Sequence, residues 1–487
     1  MTLARRATLN TLALLGGQVV TALGGLVAVA VTTRYLGLAT YGDFITATTF
    51  FSLFQLVSEF GIGPVATRQL SRHPEREGEL LTSIATLAWV LGAAGAVAAI
   101  AISFAVYPGG SQESIRGAIA ILATQLLCAG PRSAAAASIN ATERAYLASA
   151  SWVITRVVTL AAVLAVAALD LGFTAMAVAY AGTTFVQTAC LVFFARARLR
   201  HAGRTTVTHV RALLGQVAPM GGVAIIGFLY FRLDLILLSV LSGSVDVARY
   251  GIAYKIVEIL QQLPSYVMIT LMPQLARLDP DSSEFRSLLQ RVFEVMQLLA
   301  VPVLLLGVFA EELLRLIGGA AFVPAADALR LMLLALALAY LQTVLGHALV
   351  AQGRQRLALR VSLQVLVLNL VLNLILIPEF GVIGAAVALV LSELASLGLM
   401  WRRFRETGRP PRLRLGLAQC GAAAAMLLAF AGVRWLGGEA GLSAAPLLLV
   451  GGALGSVAYV LALAGLGGLP PEAMAGLAKA RRRLSAN

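Results

Sequence analysis

This sequence has little charge for its length. Asp, Glu, Lys and Arg together make 12% of its 487 residues, against roughly 25% in soluble domains. The stretch from Leu81 to Val106 holds none at all, a pattern that a lipid environment requires and a soluble core does not. Cysteine is scarcer still: Cys128, Cys190 and Cys420 each lie inside an apolar run with no close spacing, which excludes a disulfide framework and a thiolate metal site and leaves packing as their role. No Gly-Lys-Ser/Thr phosphate loop and no zinc-protease spacing occurs, which excludes those routes to nucleotide hydrolysis and peptide cleavage. No cofactor is expected, and an ion gradient or downhill substrate flow is the expected driving force.

What is abundant is apolar: hydrophobic residues make 59% of the chain before its 46 glycines are counted. The formal net charge of +14 comes from short basic clusters between apolar segments. Without a basic stripe beside stacking aromatics, no nucleic-acid partner is expected. The apolar run that follows Arg5 and Arg6 and reaches Thr33 exceeds the ~7–15-residue core of a cleaved signal peptide and is read as a retained first helix.

Runs long enough to span ~30 Å of hydrocarbon predict about fourteen helices. They fall near 9–33, 42–66, 80–106, 115–139, 150–169, 172–195, 212–241, 250–275, 288–310, 328–350, 359–378, 381–401, 416–436 and 444–465. With the N-terminus inside, 27 of the 37 basic residues fall in cytoplasmic segments and six outside, at Arg34, Arg116, Arg249, Arg315, Arg330 and Arg434. That bias predicts an inner-membrane protein with both termini cytoplasmic.

A repeat is legible at a fixed offset. Tyr41, Gly42, Pro64 and Arg68 recur as Tyr250, Gly251, Pro273 and Arg277, each 209 positions later. Asp170, Gly172 and Ala177 to Ala179 face Glu379, Gly381 and Ala386 to Ala388 at the same offset, and Arg144 faces Arg354 at 210. An even number of helices per unit makes the copies parallel. The expected architecture is an all-α integral membrane protein with a six-helix lobe over residues 1–211, a second over 212–405, and a C-terminal helix pair with a basic tail over 406–487.

At these residues the chain resembles the polysaccharide-transporter branch of the multidrug/oligosaccharidyl-lipid/polysaccharide exporter superfamily, the Wzx-type flippases. Three stretches carry the resemblance. The first is Arg34-Tyr-Leu-Gly-Leu-Ala-Thr-Tyr-Gly-Asp43 with Gly61-Ile-Gly-Pro64 and Arg68. The second is Tyr230-Phe-Arg-Leu-Asp234 with Arg249 to Lys255, Glu258, Pro264 and Met272-Pro273. The third runs from Phe322 through Ala351-Gln-Gly-Arg354, Asn369, Asn373 and Pro378 to Gly381-Val-Ile-Gly-Ala-Ala386. The resemblance implies no covalent catalysis but a two-lobed flippase that moves a polyprenyl-pyrophosphate-linked oligosaccharide, an O-antigen or other lipopolysaccharide precursor among them, by alternating access. It implies membrane lipids, a polysaccharide polymerase and glycosyltransferases as partners. A lipid II flippase and a cation-coupled multidrug exporter of the same superfamily are alternatives. A membrane glycan polymerase or ligase should present a large external loop, whereas the longest here runs from Glu311 to Asp327.

A charge at mid-bilayer costs at least ~2.5–3.5 kcal/mol on insertion scales and calls for a partner or a function. Four cations lie inside predicted spans, Arg132, Arg156, Arg232 and Lys255, with four carboxylates, Glu59, Asp234, Glu258 and Glu393. The cations are candidate contacts to an anionic headgroup, arginine through forked donors and lysine as a point charge. The carboxylates are candidates for coupling or charge pairing. Asn369 and Asn373, four apart, are candidate contacts to sugar hydroxyls, with interhelical hydrogen bonding as the alternative. His347 is read as packing, and Asp279-Pro-Asp281, isolated in a polar loop, as neither catalytic nor metal-binding.

Overall fold

The structure, a computed structural model, describes residues 3–468 except 60, 143, 201–202, 408–409, 414–415 and 440, and the described residues are helical with short connections. The helices are α1 (Leu3–Glu59), α2 (Ile62–Arg72), α3 (Glu77–Val106), α4 (Glu113–Ala123), α5 (Ala129–Ala141), α6 (Ala145–Ala168), α7 (Gly172–Leu199) and α8 (Val207–Leu241). They continue as α9 (Ser244–Leu260), α10 (Gln262–Arg277), α11 (Ser283–Leu305), α12 (Ala310–Ile317), α13 (Ala326–Ala351), α14 (Gln355–Thr407), α15 (Leu417–Glu439) and α16 (Ala444–Gly465). Among the described residues ten helical stretches are long and apolar enough to cross a membrane. The protein is therefore multi-pass. Two of the stretches, of 50 and 52 residues, are broken internally, at Gly37 and at Gly381. The Lys479 to Arg483 tail and the side chains of Arg5 and Arg6 lie outside the described residues.

Several breaks fall where the sequence did not place them, each for a backbone reason. The loop expected near 34–41 is a single non-helical residue, Gly37, at φ 72°, a conformation glycine adopts without the Cβ penalty. The helix expected over 42–66 ends at Glu59, and Gly61 at φ 70° starts α2. The expected helix 115–139 contains a 3-10 segment at Thr124–Cys128, just before Pro131. That proline has no N–H for the carbonyl one turn earlier.

Proline also frees the Leu260 and Leu298 carbonyls, four residues before Pro264 and Pro302. Each is met by a tyrosine hydroxyl: Tyr340 donates to Leu260 O at 2.6 Å and Tyr459 to Leu298 O at 2.9 Å. A backbone group left unpaired in a lipid-surrounded bundle would otherwise be costly.

The chain divides into two compact units, Met1–Gly251 and Ile252–Asn487. This division by compactness falls later than the 211/212 boundary read from the repeat, because α8 packs on α1 and α3. The lobe boundaries themselves stay a proposal. In the first unit α1 packs against α3, α4, α6 and α8, and α5 against α2, α3 and α7. Its core includes Phe50, Phe51, Tyr107, Ile119 and Leu122. In the second unit α13 packs against α10, α11 and α14, while α15 and α16 pair and rest on α11 and α12 through Phe309, Phe430 and Tyr459.

Two of the repeated pairs share backbone geometry. Arg144 N–H donates to Ile139 O and Arg144 O accepts from Leu147 N–H, at 3.3 and 2.8 Å; Arg354 does the same with Leu349 and Leu357, at 2.8 and 2.9 Å. Gly172 and Gly381 both have positive φ, 81° and 52°. Pro64 and Pro273 differ: the first sits at the start of α2, the second inside α10.

Candidate functional site

Three apolar helices of the first unit carry polar residues at helical spacing. On α1 they are Thr48, Ser52, Gln55 and Glu59; on α6, Thr155, Arg156 and Thr159 beside Trp152; on α7, Tyr180, Thr183, Thr184 and Gln187. Residues three and four apart share one helix face, so each set forms a stripe. The three stripes meet Arg132, Ser133 and Asn140 of α5 and Gln125 around a cavity of about 570 Å³. Its exposed members Glu59, Gly63, Asn140 and Trp152 lie toward the α1–α2 and α5–α6 connections.

The hydroxyl hydrogens of this lining are largely used up. Thr48 donates to Phe44 O at 2.9 Å, Ser52 to Thr49 O at 2.6 Å, Thr155 to Ser151 O at 2.7 Å, Thr159 to Thr155 O at 2.8 Å and Thr183 to Tyr180 O at 2.8 Å. Thr184 donates to Gln125 Oε1. A hydroxyl bound back to its own helix has only oxygen lone pairs left to offer. The hydroxyls of the wall therefore present acceptors, and the guanidinium groups supply strong donors.

The two arginines differ in their partners. Arg132 Nη2 donates to Glu59 Oε1 at 3.2 Å, and Gln55 Nε2 reaches the same oxygen at 3.3 Å. The Glu59 side chain is 54% exposed, so water screens this pair and it contributes about 0–1 kcal/mol. Among the described residues no carboxylate lies in salt-bridge range of Arg156. Its side chain runs along α1 at Gly24 and Gly25.

The remaining expected site residues lie elsewhere. Arg232, half-buried on α8, is not in the cavity lining, and Asp234, 2% exposed, accepts from Tyr250 Oη at 2.7 Å. Lys255 Nζ meets Glu258 Oε2 at 2.6 Å on the same face of α9. Asn369 and Asn373 are 0% exposed. Asn369 Nδ2 donates across the fold of α14 to Ser392 Oγ at 3.2 Å, and Asn373 Nδ2 donates to Asn369 O, one turn back on its own helix, at 2.9 Å. Glu393 is buried on the second half of α14. His347 lies 2.8 Å from its own helix carbonyl, Thr343 O. Asp279 accepts from the Asp281 N–H at 3.2 Å, and Ser282 caps α11, so that pair of aspartates forms a helix start. Among the described residues no cluster of metal-ligating side chains occurs.

Residues 7–279 match the family model described as polysaccharide biosynthesis protein. The chain belongs to that family. Residues 219–375 of this polysaccharide biosynthesis protein also match the MatE model. A 169-residue stretch is 25% identical to the "Probable low-salt glycan biosynthesis flippase Agl15" of Haloferax volcanii and covers 34% of this chain and 36% of that one. The match thus spans about a third of the length of that curated relative. The structure is similar to the lipid II flippase MurJ in an inward closed conformation, at 12% identity and a TM-score of 0.73, over 93% of this chain and 98% of that one. It is also similar to an inward-facing multidrug resistance MATE family transporter of the MOP superfamily, at 13% identity and a TM-score of 0.64, over 79% and 94%. At such identities these neighbours show the fold. The chain is thus a multi-pass polysaccharide biosynthesis protein whose fold is similar to that of these two transporters.

Nothing in the sequence-based reading singled out the hydroxyl and amide lining. The signal was present as polar residues recurring at three and four along helices otherwise apolar. A search for charge alone passes over it.

Proposed function

We propose that this polysaccharide biosynthesis protein translocates a polyprenyl-pyrophosphate-linked oligosaccharide across the inner membrane by alternating access, with both termini cytoplasmic. In this reading the cavity between α1, α5, α6 and α7 takes the headgroup while the lipid tail stays in the bilayer. The observation that carries it is the pairing of chemistries in the lining: Arg156 with no carboxylate partner among the described residues, beside hydroxyl oxygens whose hydrogens are already donated. A pyrophosphate accepts charge-assisted hydrogen bonds from guanidinium groups. Sugar hydroxyls supply the hydrogens that the lining oxygens lack. Arg132 joins Arg156 by exchanging the exposed Glu59 carboxylate for phosphate oxygens.

Proteoliposomes carrying a fluorescent oligosaccharide on a short polyprenyl pyrophosphate test this through the fraction of label that an impermeant quencher reaches. Arg156→Ala should cut the flipping rate at least ten-fold, and Arg156→Lys should retain part of it because charge survives while the fork does not. Full flux with Arg156→Ala would overturn the assignment. A second reading, lipid II as cargo, draws on the likeness to MurJ over 93% of the chain. Lipid II presents the same pyrophosphate with different sugars, and a competition between the two cargoes in the same vesicles separates the readings.

A further inference from the structure

Arg156 reaches the cavity from α6, but its course is shaped by α1. A Cβ built on Gly24 would lie 2.7 Å from Arg156 Cγ and 3.3 Å from Cδ; one built on Gly25 would lie 3.4 Å from Cζ and from Nη1. The stem of the arginine thus crosses the helix where Gly24 has no side chain, and its guanidinium rests over Gly25. In sequence the glycine pair is flanked by the larger Leu23 and Leu26.

We propose that Gly24 and Gly25 form a seat that holds the Arg156 guanidinium at the cavity wall, making the pair positioning residues for the anionic headgroup. The inference rests on the headgroup reading above and adds the element that sets where its charge stands. Arginine carries large rotamer freedom, and fixing its stem against a bare stretch of backbone lowers what must be ordered when a ligand arrives. The contact distances also give the seat an internal grading. At 2.7 Å the Gly24 position admits no Cβ unless the arginine stem moves, while 3.4 Å at Gly25 is ordinary van der Waals contact.

The experiment reads local charge rather than stability. In full-length protein with Cys128, Cys190 and Cys420 changed to alanine, Ser52→Cys places a thiol in the cavity wall. Its modification rates with an anionic, a cationic and a neutral methanethiosulfonate are then compared. Arg156→Ala should lower the anionic-to-cationic rate ratio roughly five-fold, the effect of one unit charge several ångströms away in a wet site. Gly24→Ala should lower it by a comparable factor, Gly25→Ala should leave it within two-fold, and Gly24→Ala with Arg156→Ala should fall no further than Arg156→Ala alone. Gly25→Leu, which covers the guanidinium head, is the second variant should Gly24→Ala fail to insert, and it should also lower the ratio. An unchanged ratio in Gly24→Ala, or an equal slowing of all three reagents, overturns the seat while Arg156→Ala still shows its effect. If Arg156→Ala itself leaves the ratio unchanged, the cationic-cavity reading falls instead.

Discussion

Tyr41-Gly42 recurs in the sequence as Tyr250-Gly251, and the structure gives the glycines a steric role at the crossing of α1 and α9. A Cβ on Gly42 would lie 1.8 Å from the Ser244 carbonyl oxygen, and one on Gly251 2.9 Å from Ile45 Cγ2. Ser244 Oγ in addition donates to Asp43. A backbone oxygen cannot swing aside as a side chain can. Gly42→Ala should therefore destabilise the protein by about 1–3 kcal/mol or more and lower its melting temperature in detergent. Gly182→Ala, with nothing within 4 Å of its Cβ position, should leave it unchanged. At this scale the sequence identified which residues recur and not why, since close approach is a property of two segments about two hundred positions apart. The same holds for the charges: Arg132, Arg156 and Glu59 were legible as costly groups, but only the fold shows that they share one cavity while Lys255 is matched to Glu258 on its own helix.

Helix positions were legible because apolar length is a one-dimensional property: α16 spans Ala444–Gly465, the residues its hydropathy marks. Interruptions were less so. Gly37, Gly61 and the 3-10 segment before Pro131 break helices without any polar loop to announce them. The two tyrosine contacts show how such breaks are repaired in α10 and α11. If Tyr459 compensates for the N–H that Pro302 lacks, Tyr459→Phe should cost about 1 kcal/mol, seen as a lower melting temperature. The cost should shrink in a Pro302→Ala background, where the backbone can donate to Leu298 O itself. Equal costs in the two backgrounds would show that the hydroxyl does not serve that carbonyl.

For the molecule as a whole, the distribution of arginine fixes an expected orientation that the fold leaves for experiment. Thiols introduced by Gln112→Cys and Ser443→Cys should react with an impermeant reagent added outside intact cells, whereas Gly203→Cys should not; the reverse pattern would invert the topology. Sites for such probes have to be chosen with the fold in view, and α14 shows the reason. Its halves meet at Gly381, with Gly384 so close to the Leu376 carbonyl that a Cβ would sit 2.1 Å away. Asn369 and Ser392 are hydrogen-bonded about three turns below. This corner has no slack, so an epitope tag or fluorescent-protein fusion grafted there would have to unzip the helix pair.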